Sequence, residues 1–329
     1  MRTLLSVLLS TLLILLFLPS WSGEPRLALL PAKVEMAAHR VLLDPRDPRR
    51  VTLGGLTFLG GVYLTGPAPA FGGFSAMTVD GDRFTLLSDG GNIVSFRMGA
   101  DWKISDPRFA ELPAGPGRGW NKSDRDSESL TRDPATGRLW VGFENAGEIW
   151  RFAPGFARAE AHSAPSAMAK WAENGGAESL VRLRDGSFIV LAEDVRVAGH
   201  KGVKQGLWFA GDPTQRKQRG FMFGYRAPKG FKPTDMTELP DGRLAVLNRK
   251  VSLREGFTAV LTIIDRSTVR PGRITAGREV ARFAAPVVHD NFEALAATRE
   301  GDSTILWIAS DDNQHFFQRS LLLKFRLDV

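Results

Sequence analysis

Apolar and polar positions follow one phrase that returns along most of the chain. An acidic residue opens a short apolar run, a turn follows, and a second apolar run ends on a charged residue. The phrase is clearest from Glu128-Ser129-Leu130 to Leu139-Trp140-Val141-Gly142-Phe143-Glu144. It recurs from Glu178-Ser179-Leu180 to Phe188-Ile189-Val190-Leu191-Ala192-Glu193, and from Glu293-Ala294-Leu295 to Ile305-Leu306-Trp307-Ile308-Ala309-Ser310-Asp311. Looser copies run from Ser75-Ala76-Met77 to Asp89 and from Asp235-Met236-Thr237 to Arg249. The copies recur every ~50–58 residues, a period that points to propeller blades or another repeat architecture.

Each copy carries three apolar runs, and the first four carry further sequence for a fourth. Asp80-Gly81-Asp82, Asp133-Pro134-Ala135-Thr136-Gly137, Asp185-Gly186 and Asp241-Gly242 stand where hairpins need turns. No stretch shows a long helical period; residues 157–171 offer at most a turn or two of helix. The pattern predicts an all-β propeller of four-stranded blades around an axis. Five blades are counted from the repeats. Six follow if residues 26–66 and the longer third and fourth copies hide another. The last copy stops after three strands, and the segment Val51–Gly66 has no partner of its own, so an N-terminal strand is expected to complete the last blade and close the ring. The domain organisation expected is a leader over 1–22, a lead-in over 23–50 and a single propeller domain over 51–329.

Composition adds three constraints. The 329 residues hold 43% hydrophobic sequence, enough for a sizeable core, and 34 Gly with 19 Pro suit many short strands joined by turns. The start of the chain has the form of a secretory signal: Arg2, then an almost unbroken apolar run from Leu4 to Leu18, then Pro19-Ser20-Trp21-Ser22 with small residues for cleavage. That run, ~15 residues, is short of the ~20 that span a bilayer. The protein is therefore expected to be periplasmic or secreted, with no membrane span once the leader is cut. Cysteine is absent, so stability rests on packing rather than on disulfides. The formal net charge is +7, yet no dense Lys/Arg run is interleaved with aromatics, and nucleic acid is not an expected partner.

In a propeller the innermost strand of each blade lines a central channel. Ser75, Glu128, Glu178, Asp235 and Glu293 are then expected around one mouth, with Thr234 the better-registered alternative to Asp235. Asp89, Glu144, Glu193, Arg249 and Asp311 are expected in a ring outside them. Carboxylates crowded at one mouth raise one another's pKa or recruit a cation, and hard oxygen ligands favour Ca²⁺ or Mg²⁺. A divalent ion, Ca²⁺ first, is expected on Asp89, Asp126, Glu193, Asp290 and Asp311, with Asn174, Asp194, Asn291, Asp312 and Asn313 as further oxygen donors. Glu128, Glu178 and Glu293 are the candidates for general base and Arg249 for the group that holds an ester's charge. Lys122, Asp235, Asn248, His289 and His315 are candidate ligand-binding residues. The alternative is structural: the same carboxylates cap strands and tie blades together, and Arg249 is an ion pair between blades. No Gly-x-Ser-x-Gly elbow, no His-Glu-x-x-His and no phosphate loop occurs in the sequence.

Five stretches in order resemble the phytase-like family of exported bacterial proteins, described as having esterase-like activity. They are Phe71-Gly72-Gly73-Phe74-Ser75-Ala76-Met77, Asp126-Ser127-Glu128-Ser129-Leu130, Gly176-Ala177-Glu178-Ser179-Leu180, Pro233-Thr234-Asp235-Met236 with Leu247-Asn248-Arg249, and Asp290-Asn291-Phe292-Glu293-Ala294. The resemblance implies a β-propeller and hydrolysis of a phosphate or carboxylate ester, a small anionic substrate. The Asp-rich signature of the calcium-dependent propeller phytases is absent from the sequence, which argues against phytate itself. Two other readings stay open: a non-catalytic propeller that binds a ligand or envelope partner, and a lactonase-like or sugar-oxidising propeller enzyme.

Overall fold

A computed structural model describes residues 30–31, 35–119, 122–171, 175–215, 218–313 and 318–329, with the backbone alone at 122 and 123. The leader expected over 1–22, and His315 and Asn174, lie outside the described residues. The Asp-Gly pairs make the turns their chemistry suits. Gly186 and Gly242 sit at φ +87° and +89°, where a glycine has no Cβ to clash, and each follows an aspartate that closes a hairpin.

The hairpins assemble into five antiparallel sheets. Blade 1 holds Phe74–Asp80, Arg83–Ser88, Asn92–Met98 and Ile104–Glu111, from the axis outward. Blade 2 holds Ser127–Arg132, Leu139–Phe143, Glu148–Phe152 and Ala159–Ser163. Blade 3 holds Ala177–Arg182, Phe188–Arg196, Val203–Phe209 and Gly220–Arg226. Blade 4 holds Lys232–Glu238, Leu244–Ser252, Gly256–Ile264 and Arg278–Phe283. Blade 5 takes Phe292–Glu300, Ser303–Ser310 and Ser320–Leu327 from the end of the chain. Its fourth strand is Leu56–Thr65, paired antiparallel to Ser320–Leu327 from Leu56↔Leu327 to Leu64↔Ser320. The ring is thus a five-bladed propeller closed by an N-terminal strand, and each inner strand packs on the next, with the last on the first.

Three details depart from the sequence reading. The lead-in is not outside the propeller, because Ala37–Arg40 adds a fifth strand to blade 5. The extra sequence of the third and fourth copies makes no sixth blade. It supplies long second strands and a short strand, Ile274–Ala276, that pairs parallel to the outer strand of blade 3. Of the segment 157–171, where a turn or two of helix was expected, the first part is the strand Ala159–Ser163, preceded by a 3₁₀ turn at Pro154–Phe156, and only residues 166–170 turn, with N–H groups of Met168 and Ala169 donating to the carbonyls of Pro165 and Ser166. The proline and the positive φ of Gly155 favour the 3₁₀ turn over continued helix.

The core explains why runs such as Leu139–Phe143 are apolar throughout rather than alternating. Each blade buries both faces, one against each neighbour. Five hydrophobic clusters result, one per blade interface: Leu87, Leu130 and Val141 between blades 1 and 2, Trp140, Leu180 and Phe188 between 2 and 3, and Ile189, Tyr225 and Val246 between 3 and 4. Leu261, Phe292 and Phe325 fill the interface of blades 4 and 5, and Phe84, Trp307 and Leu322 that of blades 5 and 1. Among the described residues no helix is long and apolar enough to cross a membrane.

Candidate functional site

In every blade the pairing of the two inner strands slips by one residue near the start of the first. Phe74 pairs with Ser88 and Ala76 with Leu87, so Ser75 is left as the extra residue. The same slip leaves out Glu128, Glu178, Thr234 and Glu293. A bulge bends the strand and re-aims the unpaired side chain, and here it does so once per blade at equivalent places around the axis. On the second strands, the residues just beyond this point are Asp89, Glu144, Glu193, Arg249 and Asp311. Two positions before each bulge stand Gly73, Asp126, Gly176, Lys232 and Asn291. The mouth is therefore a funnel of three five-membered tiers. Thr234, not Asp235, is the blade 4 member of the inner tier.

Two of the inner tier are staples. Ser75 Oγ donates to the carbonyl of Ser127 at 2.6 Å, and Thr234 Oγ1 donates to that of Phe292 at 3.1 Å, each joining one blade to the next. The three glutamates do something else. Burial raises the Glu128 carboxyl well above its ordinary range, and Glu293, Asp126, Asp89 and Glu144 raise it further. Burial likewise raises Glu178, with Glu128, Glu193, Glu144 and Glu293 adding to it. Residues from four blades feel one another's charge, so they share one opening.

The funnel has two electrically different sides. On one side Arg249, its side chain 21% exposed, sits among acids. Its Nη1 donates to Glu293 and to Asn291 Oδ1 at 2.6 Å, and its Nη2 donates to Glu193 Oε1 at 2.7 Å. Burial alone would lower its pKa, but Glu293, Glu193 and Glu178 more than offset this, and the guanidinium stays charged. Three of its five N–H groups are engaged by described residues. Lys232 at the rim donates to Glu193 Oε2 at 3.0 Å and reaches Asp194 at 3.1 Å, and the buried Lys204 donates to the other Asp194 oxygen at 2.6 Å. Glu293 is held by Asn291 as well, at 3.0 Å. Burial still raises Glu293, against the lowering effect of Arg249.

On the other side, Asp126, Glu128 and Glu144 each bring a carboxylate oxygen within 4.8 Å of the others. Oxygens that far apart fit around one ion with bonds of roughly 2.3–2.6 Å, the range for Ca²⁺. The group is oriented from behind: Asn145 Nδ2 donates to Asp126 Oδ2 at 2.6 Å and the Gly176 N–H donates to Glu144 Oε1 at 3.0 Å. The Glu178 carboxyl lies within hydrogen-bond reach of that of Glu144. Burial pushes Glu144 up to about 7, opposed by that contact and by Gly176 and aided by Asp126 and Glu193. Asp311 is pushed up to about 8, chiefly by burial and then by Glu293 and Asp89.

Other sequence candidates sit elsewhere or are already committed. Both carboxyl oxygens of Asp235 accept backbone N–H groups, from Met236 and from Leu295 of the next blade, each at 2.7 Å. Burial raises its pKa well above the ordinary value against those two bonds. Asn248 is fully buried between blades 3 and 4, where it accepts from Tyr225 Oη at 2.9 Å and donates to the carbonyls of Val246 and Val260. Asp290 accepts from the N–H groups of Asn291 and Arg319, and His289 Nδ1 lies 2.7 Å from the carbonyl of Val287. Arg125 turns to the carbonyl of Pro116 at 2.6 Å, and Lys122 lies in the helical turn Lys122–Arg125. Lys232 is the site residue the sequence reading missed. Its signal was its distance of two residues from the bulge, the same as that of Asp126 and Asn291.

The family model described as "Phytase-like: Esterase-like activity of phytase" matches residues 69–314, from just before blade 1 into blade 5. The chain belongs to the phytase-like family. A search of curated proteins finds no significant match. Among solved structures this phytase-like chain is similar to an α-L-arabinofuranosidase from Podospora anserina in complex with cellotriose, with 12% identity over 90% of this chain and 98% of that one and a TM-score of 0.46. It is also similar to hydrazine synthase of Kuenenia stuttgartiensis, with 12% identity over 73% of this chain and 77% of that one and a TM-score of 0.39. At that distance neither neighbour speaks to the chemistry of the phytase-like mouth.

Proposed function

We propose that the mouth hydrolyses a phosphate or carboxylate ester, with a divalent cation, Ca²⁺ first, on Asp126, Glu128 and Glu144. The observation that carries this reading is the juxtaposition at one opening of two carboxyl groups, Glu178 and Glu144, that burial raises above the ordinary range, with the Arg249 guanidinium held between Glu193 and Glu293. Membership of a family described by esterase-like activity supports it. A bound cation would supply Lewis-acid polarisation of the ester oxygen. Of the three candidate bases, Glu293 is gripped by Arg249 and Asn291 and Glu128 belongs to the cation group, which leaves Glu178. As a carboxylate Glu178 takes a proton from the attacking water, and as an acid it returns that proton to the leaving oxygen. The Arg249 guanidinium meets negative charge as it develops on the ester. Lys232 holds Glu193, and through it Arg249, in place. With residues 1–22 read as a secretory leader, the substrate is met outside the cytoplasm.

The test is a panel of phosphate monoesters, carboxylate esters and lactones, run with Ca²⁺ and with chelator. Turnover that needs the ion and falls at least roughly tenfold in Glu178→Gln is expected, the scale of a lost acid–base group. Turnover indifferent to chelator removes the cation from the reading. Ligand binding without turnover of any ester replaces hydrolysis with the binding-module reading, and turnover of lactones alone replaces it with the lactonase reading.

A further inference from the structure

The inner strands run from the acidic mouth to a second opening at the other end of the axis. There they line a cavity of about 550 Å³ to which all five blades contribute. Its chemistry is the reverse of the mouth's. Four arginines line it, Arg132 from blade 2, Arg182 and Arg184 from blade 3 and Arg299 from blade 5, against a single carboxylate, Glu238. Threonines of blades 1, 4 and 5, Thr78, Thr237 and Thr298, add hydroxyls to the wall.

These four arginines are held unequally. Arg132 pairs at 2.8 Å with Asp80, whose side chain is 61% exposed. Arg182 reaches Asp133, Arg184 reaches Glu238 and Arg299 reaches Asp302 only at 3.5 Å, and Asp302 is fully exposed. The exposed pairs of Arg132 and Arg299 contribute ~0–1 kcal/mol, so a ligand that brings several negative charges at once can replace them, while Arg182 stays beside the buried Asp133 and Arg184 donates to the carbonyls of Pro240 and Leu239 at 2.7 and 2.6 Å. Planar guanidinium forks suit phosphate and carboxylate oxygens. The volume is that of a small-molecule site. The recess also selects against a flat anionic surface, which would meet the rim arginines alone.

We propose that this second opening binds a small, multivalent anion bearing phosphate or carboxylate groups, independently of the chemistry at the acidic mouth. The test is calorimetric titration of the full chain with inorganic pyrophosphate in metal-free buffer, so that no cation draws the anion to the acidic end. One molecule per chain is expected to bind, at least tenfold more weakly in Arg299→Glu and in Arg132→Gln, and unchanged in Glu178→Gln at the opposite mouth. Arg299 has a side chain 64% exposed, so its substitution leaves the fold intact and decides the matter even if the Arg132 variant does not fold. No binding, binding indifferent to Arg299→Glu, or binding lost in Glu178→Gln overturns the proposal. So does binding to vesicles of anionic lipid with none to pyrophosphate.

Discussion

Arg249→Gln is the sharpest perturbation of the mouth. The guanidinium is the cation between Glu193 and Glu293, whose side chains are 7% and 9% exposed. Removing one partner of a buried pair leaves uncompensated charge and costs ~3–5 kcal/mol. For a chain this long that is a fall of roughly 5–10 °C in melting temperature. The loss must depend on pH. Burial raises the Glu293 carboxyl even while Arg249 holds it down, and without Arg249 it rises further. A carboxyl raised in the folded state adds no penalty below its unfolded value of ~4.3, and its stability contribution is lost as pH rises through the folded value. The gap between wild type and variant is therefore expected to be small near pH 5 and full near pH 8. Scanning calorimetry at the two pH values measures it, and Arg249→Gln combined with Glu293→Gln is expected to recover part of the loss at pH 8. A gap equal at both pH values, or below about 2 °C at pH 8, refutes the reasoning.

Two further outcomes separate binding roles from structural ones. Ca²⁺ at about a hundred times its dissociation constant is expected to stabilise the fold by ~2.7 kcal/mol, seen as a higher melting temperature that chelator reverses and Glu128→Gln abolishes; no shift in wild type removes the ion from the mouth. Asp235→Ala orphans the N–H groups of Met236 and Leu295 and is expected to cost ~2–5 kcal/mol in chemical denaturation while any ester turnover by the folded protein is unchanged. A changed kcat would return Asp235 to the site.

Much of this arrangement was legible in the repeat. The period places Glu128, Glu178 and Glu293 at equivalent strand starts, and equivalent starts in a closed ring must converge. The second tier, from Asp89 to Asp311, follows by the same logic. What the repeat could not show is the bulge. A one-residue slip places Thr234 in the inner tier and turns its neighbour Asp235 to the N–H groups of Met236 and Leu295; the count back from the Asp241-Gly242 turn already favoured Thr234, but the acidic side chain beside it kept Asp235 in view. Asn248 misled for a related reason: it adjoins Arg249 in the chain, but successive strand residues face opposite ways, so it lies between sheets while Arg249 reaches the funnel. Lys232 escaped notice because its importance lies in Glu193 and Asp194, contacts between blades that no local pattern encodes.

The pairing of Leu56–Thr65 with Ser320–Leu327 also bears on how the molecule is made. Leu56 and its partner Leu327 lie 271 residues apart, so the early strand waits through the making of the four intervening blades before it finds its place. Contacts of such long sequence separation slow folding. A nascent chain interrupted before Ser320 would hold four finished blades and two unmatched strand edges, those of Leu56–Thr65 and Ser303–Ser310, a species apt to pair with another of its kind.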